Sequence, residues 1–256
     1  MPHIERDDGV RIYYEEHGSG LPVLLTHGYG ASLRMWQPQV EALSSRYRLI
    51  LWDMRGHDRS DSPETPNSYT HKATVDDVAA ILDACNVDRA VVGGLSLGGF
   101  VSLAFHLEHA ERVRALMLFD TGPGYKSDAG RQRWNDWAER RALEFEQEGL
   151  AASTSSPEVK AARHEHGPMG LALAARGILK QHDSRVIESL PSIRVPTLVV
   201  AGGDDKDFLV AADYMAAKIP AAVKIIIDGA GHAPNIEKWR EFNAAVSEFL
   251  DALPAE

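Results

Sequence analysis

The chain has little that could cross-link it or anchor it in lipid. Cys85 is the only cysteine among 256 residues, so no internal disulfide can form and no Cys-x-x-Cys pair can hold a metal. A lone thiol suits a reducing compartment and a small core residue. No stretch approaches the ~18 consecutive apolar residues of a membrane-crossing helix. The opening "MPHIERDDGVRIYYEEHG" carries charges where a secretory leader would have an apolar core. A cytoplasmic protein with no membrane partner is therefore expected. Positive charge is also short, with 27 Lys and Arg against 37 Asp and Glu and a formal net charge of -10. Nucleic acid is bound through clustered Lys and Arg, so no nucleic-acid partner is expected. A homodimer stays open, since composition does not bear on it.

What is present reads as one soluble globular unit, because an apolar fraction of 44% and a charged fraction of 25% favour neither disorder nor a fibre. Short apolar runs recur as "PVLLTHG", "YRLILWD", "RAVVGG", "RALMLFD", "PTLVVAG" and "VKIIIDG". Continuous runs of this length predict strands covered on both faces. Stretches with helical spacing lie between them, including "THKATVDDVAAILDAC", "SLGGFVSLAFHLEHA" and "KWREFNAAVSEFLDAL". Alternating strand and helix predicts a mostly parallel sheet wrapped by helices. Ahead of it, "HIERDDGVRIYYEEHG" reads as an antiparallel hairpin at the sheet edge, which brings the expected strand number to eight. Residues 122–191 break the rhythm with four predicted helices, around "AGRQRWNDWAERRALEFEQEG", "PEVKAARHEHG", "PMGLALAARGILKQH" and "DSRVIESL". The expected organisation is an α/β core of residues 1–121 and 192–256 with a helical cap inserted at 122–191.

Chemistry enters at "VVGGLSLGGF", where Gly94-Leu95-Ser96-Leu97-Gly98 matches G-x-S-x-G between a strand and a helix. A sharp turn there would expose the Ser96 hydroxyl above the sheet and aim the following helix N-terminus at it. The pattern alone also fits a glycine-rich turn with an N-capping serine, so it needs partners. A serine hydroxyl needs a general base, normally a histidine oriented by a carboxylate. Of the eleven histidines, His232 in "DGAGHAPNIEKW" stands after the last strand and before the final helix. Asp204, Asp205 and Asp207 follow the penultimate strand, and Asp120 ends another; Asp205 is preferred for the chain order Ser, Asp, His. For an oxyanion hole, the backbone N–H of Leu97 would be joined by that of Tyr29 from "THGYGAS", whose His27 suits a structural role.

Together "HGYGAS", "WDMRGHDRSD", "GGLSLGG", "AGGDD" and "GAGHAPNIE" resemble, in order, the motifs of the α/β-hydrolase superfamily. The resemblance implies that fold, with 122–191 as its lid, and a Ser-His-Asp triad of Ser96, His232 and Asp205. Asp58 stands where the family pattern has glycine, which bears on the shape of that loop. Arg55 beside it is expected in a structural ion pair. A serine at the elbow disfavours the dehalogenase and epoxide-hydrolase branches, which carry aspartate there. "GHAPNIE" looks most like 3-oxoadipate enol-lactonases and small esterases. The implied activity is hydrolysis of a small carboxylic ester or lactone. C–C bond hydrolysis with the same triad, or a receptor without turnover, are the alternatives.

No cofactor or metal is expected, since His106 with His109 and His164 with His166 lack supporting ligands. Trp36, Tyr125, Trp134, Trp137 and Met169 are candidate pocket residues, although aromatics at helical spacing also pack a cap onto a body. The run "ERRALEFEQE" reads as a solvated helix face held by charge pairs.

Overall fold

Eight strands join into one sheet in the computed structural model, which describes residues 2–254. They are β1 (His3–Glu5), β2 (Arg11–His17), β3 (Leu21–Thr26), β4 (Tyr47–Trp52), β5 (Ala90–Leu95), β6 (Val113–Phe119), β7 (Thr197–Gly202) and β8 (Ala222–Ile227), in the spatial order β1-β2-β4-β3-β5-β6-β7-β8. β1 and β2 form the expected antiparallel hairpin, with Ile4 opposite Ile12, and β2 runs antiparallel to β4. Every later pairing is parallel. Positions 1, 255 and 256, at the outer ends of the expected core boundaries, lie outside the described residues.

Alternate residues of a strand point to opposite faces, and the apolar runs feed two cores in that way. In β4, Leu49 and Leu51 join one cluster while Ile50 and Trp52 join the other. In β5, Val91 and Val92 divide likewise. The first face is covered by α1 (Gln37–Leu43) and α10 (Trp239–Asp251), which contribute Leu43, Phe242 and Val246. The second is covered by α2 (His71–Ala84), α3 (Leu97–Glu108) and α8 (Lys206–Lys218). β8 departs from the expectation of two covered faces, because it is the edge strand and leaves Val223 and Ile226 exposed. Among the described residues no helix is long and apolar enough to cross a membrane.

Between β6 and β7 the chain is helical. α4 (Asp128–Glu148) begins where the Ser127 hydroxyl accepts the Gly130 N–H, at 3.2 Å, and ends at Gly149. α5 (Pro157–Lys160), α6 (Met169–Ala174), a π-type turn over Ala175–Leu179 and α7 (Arg185–Ser189) follow. The helix predicted around "PEVKAARHEHG" stops at Lys160, and His164 and Gly167 then take positive φ. The charge pairs expected on α4 are present, and some reach beyond the helix: Glu139 accepts from Arg176 at 2.8 Å and from Lys180 at 2.6 Å. α9 (Pro234–Glu237) is a single turn ahead of α10.

Candidate functional site

Ser96 occupies the one residue between β5 and α3, at φ 53 and ψ -115. A non-glycine residue in that region costs about 1–3 kcal/mol and persists only where its surroundings hold it. Here the hold is explicit. Its N–H donates to the Phe119 carbonyl at 2.9 Å, and its carbonyl accepts from the Thr121 hydroxyl at 2.6 Å and the Gly99 N–H at 3.0 Å. Gly94 and Gly98 make the turn possible, because a Cβ on either would stand 2.5 or 2.2 Å from the Thr26 carbonyl oxygen of β3. Of residues 91–100, Ser96 alone is not buried.

His232 lies in the loop after β8, and its Nδ1 is 2.5 Å from Oδ2 of Asp205, which follows β7. The Phe208 ring packs on the imidazole with centroids 4.8 Å apart. The Glu237 carboxylate accepts the N–H groups on either side, Gly231 and Ala233, each at 3.0 Å. Neither Phe208 nor Glu237 was singled out in the sequence. A glutamate reaching back to the N–H groups that open a helix is a capping signal, and "HAPNIE" carried it.

Asp204 and Asp207 are exposed. Asp120 is not: it is buried at the end of β6 with φ 37, and its Oδ1 accepts the Gly202 N–H at 2.8 Å. One ligand atom each of Asp120, Asp205 and His232 all lie within 4.8 Å of one another. Both candidate acids are thus beside the imidazole, and the hydrogen bond goes to Asp205. Burial, joined by the neighbouring Asp205 charge, pushes the Asp120 carboxyl well above the usual carboxylate range.

Across the cleft, the turn after β3 is held by two histidines. Nε2 of His27 accepts the Met54 N–H at 3.0 Å, so its proton sits on Nδ1, 2.7 Å from the Gly28 carbonyl. Nε2 of His57 accepts the Gly30 N–H at 3.2 Å, and its Nδ1 donates to the Arg55 carbonyl. Burial pushes His27 down to about 4, and His57 falls well below its ordinary value for the same reason. With Gly30 and Ala31 N–H engaged, the Tyr29 N–H has no acceptor among the described residues. The Leu97 N–H is the first of α3, where helix geometry leaves donors unpaired.

Arg55 is the expected ion-pair residue, donating from Nε to Asp77 at 2.5 Å and from Nη1 to Asp8 at 2.5 Å. Asp58 adopts φ 38, the conformation a glycine would take most easily, and its carboxylate accepts from Arg34 at 3.1 Å. The loop therefore keeps a glycine-type turn with an aspartate in it, a residue that tolerates that region better than most.

Ser96, Leu97, Tyr29, Asp205 and His232 open onto one cavity of about 930 Å³. Tyr125, Trp134 and Trp137 line it, along with Phe145 and Tyr214, which were not anticipated. Two expected pocket residues lie elsewhere. Trp36 is fully buried on the other face of the sheet, its ring 6.0 Å from that of Phe119. Met169 opens α6 with its side chain half exposed to solvent, away from the cavity wall. Large apolar residues look alike in a sequence whether they fill a core, a wall or a surface. Glu158 of α5 is buried at the cavity and makes no hydrogen bond or ion pair among the described residues.

The model of the alpha/beta hydrolase fold matches residues 22–169. A relative from Azorhizobium caulinodans, provisionally named carbamate hydrolase RutD, is 31% identical over 91% of this chain and 92% of its own length. 3-Oxoadipate enol-lactonase 1 of Acinetobacter baylyi is 29% identical over 90% and 89%. Among solved structures, a thermophilic esterase from Thermogutta terrifontis superposes with a TM-score of 0.85 at 28% identity, covering 99% of each chain.

Proposed function

Since the chain belongs to the alpha/beta hydrolase fold family, we propose that it hydrolyses small carboxylic esters or lactones through Ser96, His232 and Asp205. The observation that carries this reading is the 2.5 Å bond from His232 Nδ1 to Asp205, made beside the cavity onto which Ser96 opens. With its Nδ1 proton committed to Asp205, the imidazole presents Nε2 as the basic nitrogen.

In this mechanism Nε2 takes the proton of Ser96 as Oγ bonds to the substrate carbonyl carbon. The carbonyl oxygen becomes an oxyanion, met by the N–H groups of Leu97 and Tyr29. Collapse breaks the carbon–oxygen bond to the alcohol, which leaves with the proton held on Nε2. A water, deprotonated by the same nitrogen, then attacks the acyl carbon and frees the acid and the Ser96 hydroxyl. Each oxyanion donor is worth about 3–4 kcal/mol of transition-state stabilisation. Asp205 keeps the imidazole oriented and balances its charge.

Esters and lactones are favoured over C–C substrates by the similarity to an enol-lactonase and an esterase. The cavity size of about 930 Å³ suits a substrate well beyond an acetyl ester. Its aromatic wall suits an apolar acyl or alcohol group, and Glu158 offers an acceptor for a substrate hydroxyl or N–H.

The test is labelling with a serine-reactive fluorophosphonate, followed by a panel of esters, lactones and a dienoic diketone. Labelling and turnover are expected in the wild type and lost in Ser96→Ala. Equal turnover in the two proteins would overturn the serine mechanism, and labelling without turnover of any panel member would favour a receptor.

A further inference from the structure

We propose that Asp120 is a positioning residue: its neutral carboxyl, anchored through Oδ1 on the Gly202 N–H, donates a hydrogen bond from Oδ2 to Asp205 and so fixes the carboxylate on which His232 is held. The inference rests on the Ser96, His232, Asp205 reading and adds a fourth group to it.

The geometry favours a proton at this place. Oδ1 of Asp120 is occupied by the Gly202 N–H at 2.8 Å. Oδ2 is buried and has no partner among the described residues. A carboxylate oxygen of Asp205 lies within 4.8 Å of one of Asp120, and Asp205 spends its Oδ2 on His232. As an ionised carboxylate, Asp120 would turn a bare acceptor towards another acceptor inside a buried site. An unsatisfied buried acceptor of this kind is destabilising, the more so when charged. With a proton on Oδ2 the same contact becomes a hydrogen bond from a neutral acid to a carboxylate, the stronger charge-assisted kind.

Burial and the neighbouring carboxylates favour the neutral form, and they outweigh the Gly202 N–H, which favours the ionised one. The groups facing Asp120 are the Gly202 N–H at the end of β7, Asp205 at the head of α8, His232 in its loop and Glu237 on α9. The two that carry charge of fixed sign, Asp205 and Glu237, are both acidic, and each disfavours a further negative charge. Two carboxyls so placed cannot both ionise without strong repulsion, and the less exposed one keeps the proton. Asp120 is almost fully buried, whereas the Asp205 side chain keeps 11% exposure and is bonded to the imidazole.

Three variants and one spectroscopic readout test this. Asp120→Asn keeps an oxygen for Gly202 and an N–H donor for Asp205; Asp120→Ala keeps neither; Asp205→Asn removes the carboxylate itself. kcat is expected to fall about tenfold or more in Asp120→Ala with KM changing less, and to recover to within about threefold of wild type in Asp120→Asn. Activity of the wild type should decline at alkaline pH, where Asp120 ionises and the donor is lost, and Asp120→Asn should lack that decline. Infrared spectra of the wild type at pH 7 should show a protonated carboxyl band that is missing in Asp120→Asn, a readout that needs no substrate.

The proposal is overturned if that band is absent, if the two pH profiles coincide, or if Asp120→Asn is as inactive as Asp205→Asn, which would make Asp120 an ionised acid. Failure of the underlying triad looks different: Asp205→Asn or Ser96→Ala would turn over at the wild-type rate while the carboxyl band persisted.

Discussion

The carbonyl oxygen of Thr26 is the atom against which the Ser96 turn is built, with Gly94 and Gly98 closing on it from two directions. Gly98→Ala puts a methyl 2.2 Å from that oxygen, where both partners are backbone and neither can swing aside. The variant is expected to lose about 3 kcal/mol or more in urea denaturation, at the upper end of overpacking costs, and to react with fluorophosphonate far more slowly because Ser96 is displaced. Wild-type stability and labelling in Gly98→Ala would mean that the turn is not built as described. His27 has a pH signature instead. Burial depresses its pKa to about 4, so below the unfolded value of about 6.5 the unfolded chain binds a proton that the native state refuses. Stability from this residue is complete above about pH 6.5 and is lost as pH falls towards 4, by about 3 kcal/mol in all. His27→Gln, which keeps an acceptor for Met54, should therefore show a shallower fall of unfolding free energy over that window; parallel curves would refute it. That Ser96, His232 and Asp205 meet at one cavity was legible in the sequence, because each sits in a short motif at the end of a recognisable strand. Trp36 and Met169 were not, since a contiguous motif fixes a turn but says nothing about which way a distant apolar side chain faces.

α9 is a single turn, and its role is to hold the loop before it. The Glu237 carboxylate takes the N–H groups of Gly231 and Ala233, the residues that bracket His232. Glu237→Ala frees both donors and lets the imidazole wander from Asp205. We expect kcat to drop about tenfold, in line with hydrogen bonds to a charged group at roughly 1.5–3 kcal/mol partly replaced by water, with KM little changed. Glu237→Gln, with one oxygen left, should fall between the two, and steady-state kinetics on any ester turned over will check the order. At this scale the hydrophobic period was informative for central strands and long helices, whose patterns span whole turns of burial. It was less so for β8, an apolar run that lies at an edge with Val223 in solvent. It also overextended α5, because the backbone after Lys160 is set by His164 and Gly167 at positive φ and not by apolar spacing.

Over the whole molecule, the segment between β6 and β7 is fastened to the sheet at several separate places. The Tyr29 hydroxyl donates to the Leu171 carbonyl at 2.8 Å, and its ring meets that of Phe145 edge-on at 6.2 Å, so a residue that lines the cavity also grips α4 and α6. His71 of α2 lies 2.8 Å from the Ile178 carbonyl in the π-type turn. Phe145, Leu171 and Ile178 belong to the same apolar cluster as Val92 of β5 and Leu116 of β6. A segment that shares its core with the sheet cannot leave without exposing sheet residues, and about 25 cal/mol per Å² of apolar surface opposes the exposure. Sequence alone marked where the strand rhythm stops but not how tightly the interruption is packed, since that depends on contacts between residues far apart in the chain. The expected consequence is a single cooperative unfolding event. In a urea titration followed by hydrogen exchange and mass spectrometry, peptides from α4 and α6 should lose protection at the same denaturant concentration as peptides from β5 and β6. Protection lost first in α4 and α6 would show instead that the segment opens on its own, in which case Tyr29 would release its grip before the sheet melts and access to Ser96 would be set by that opening.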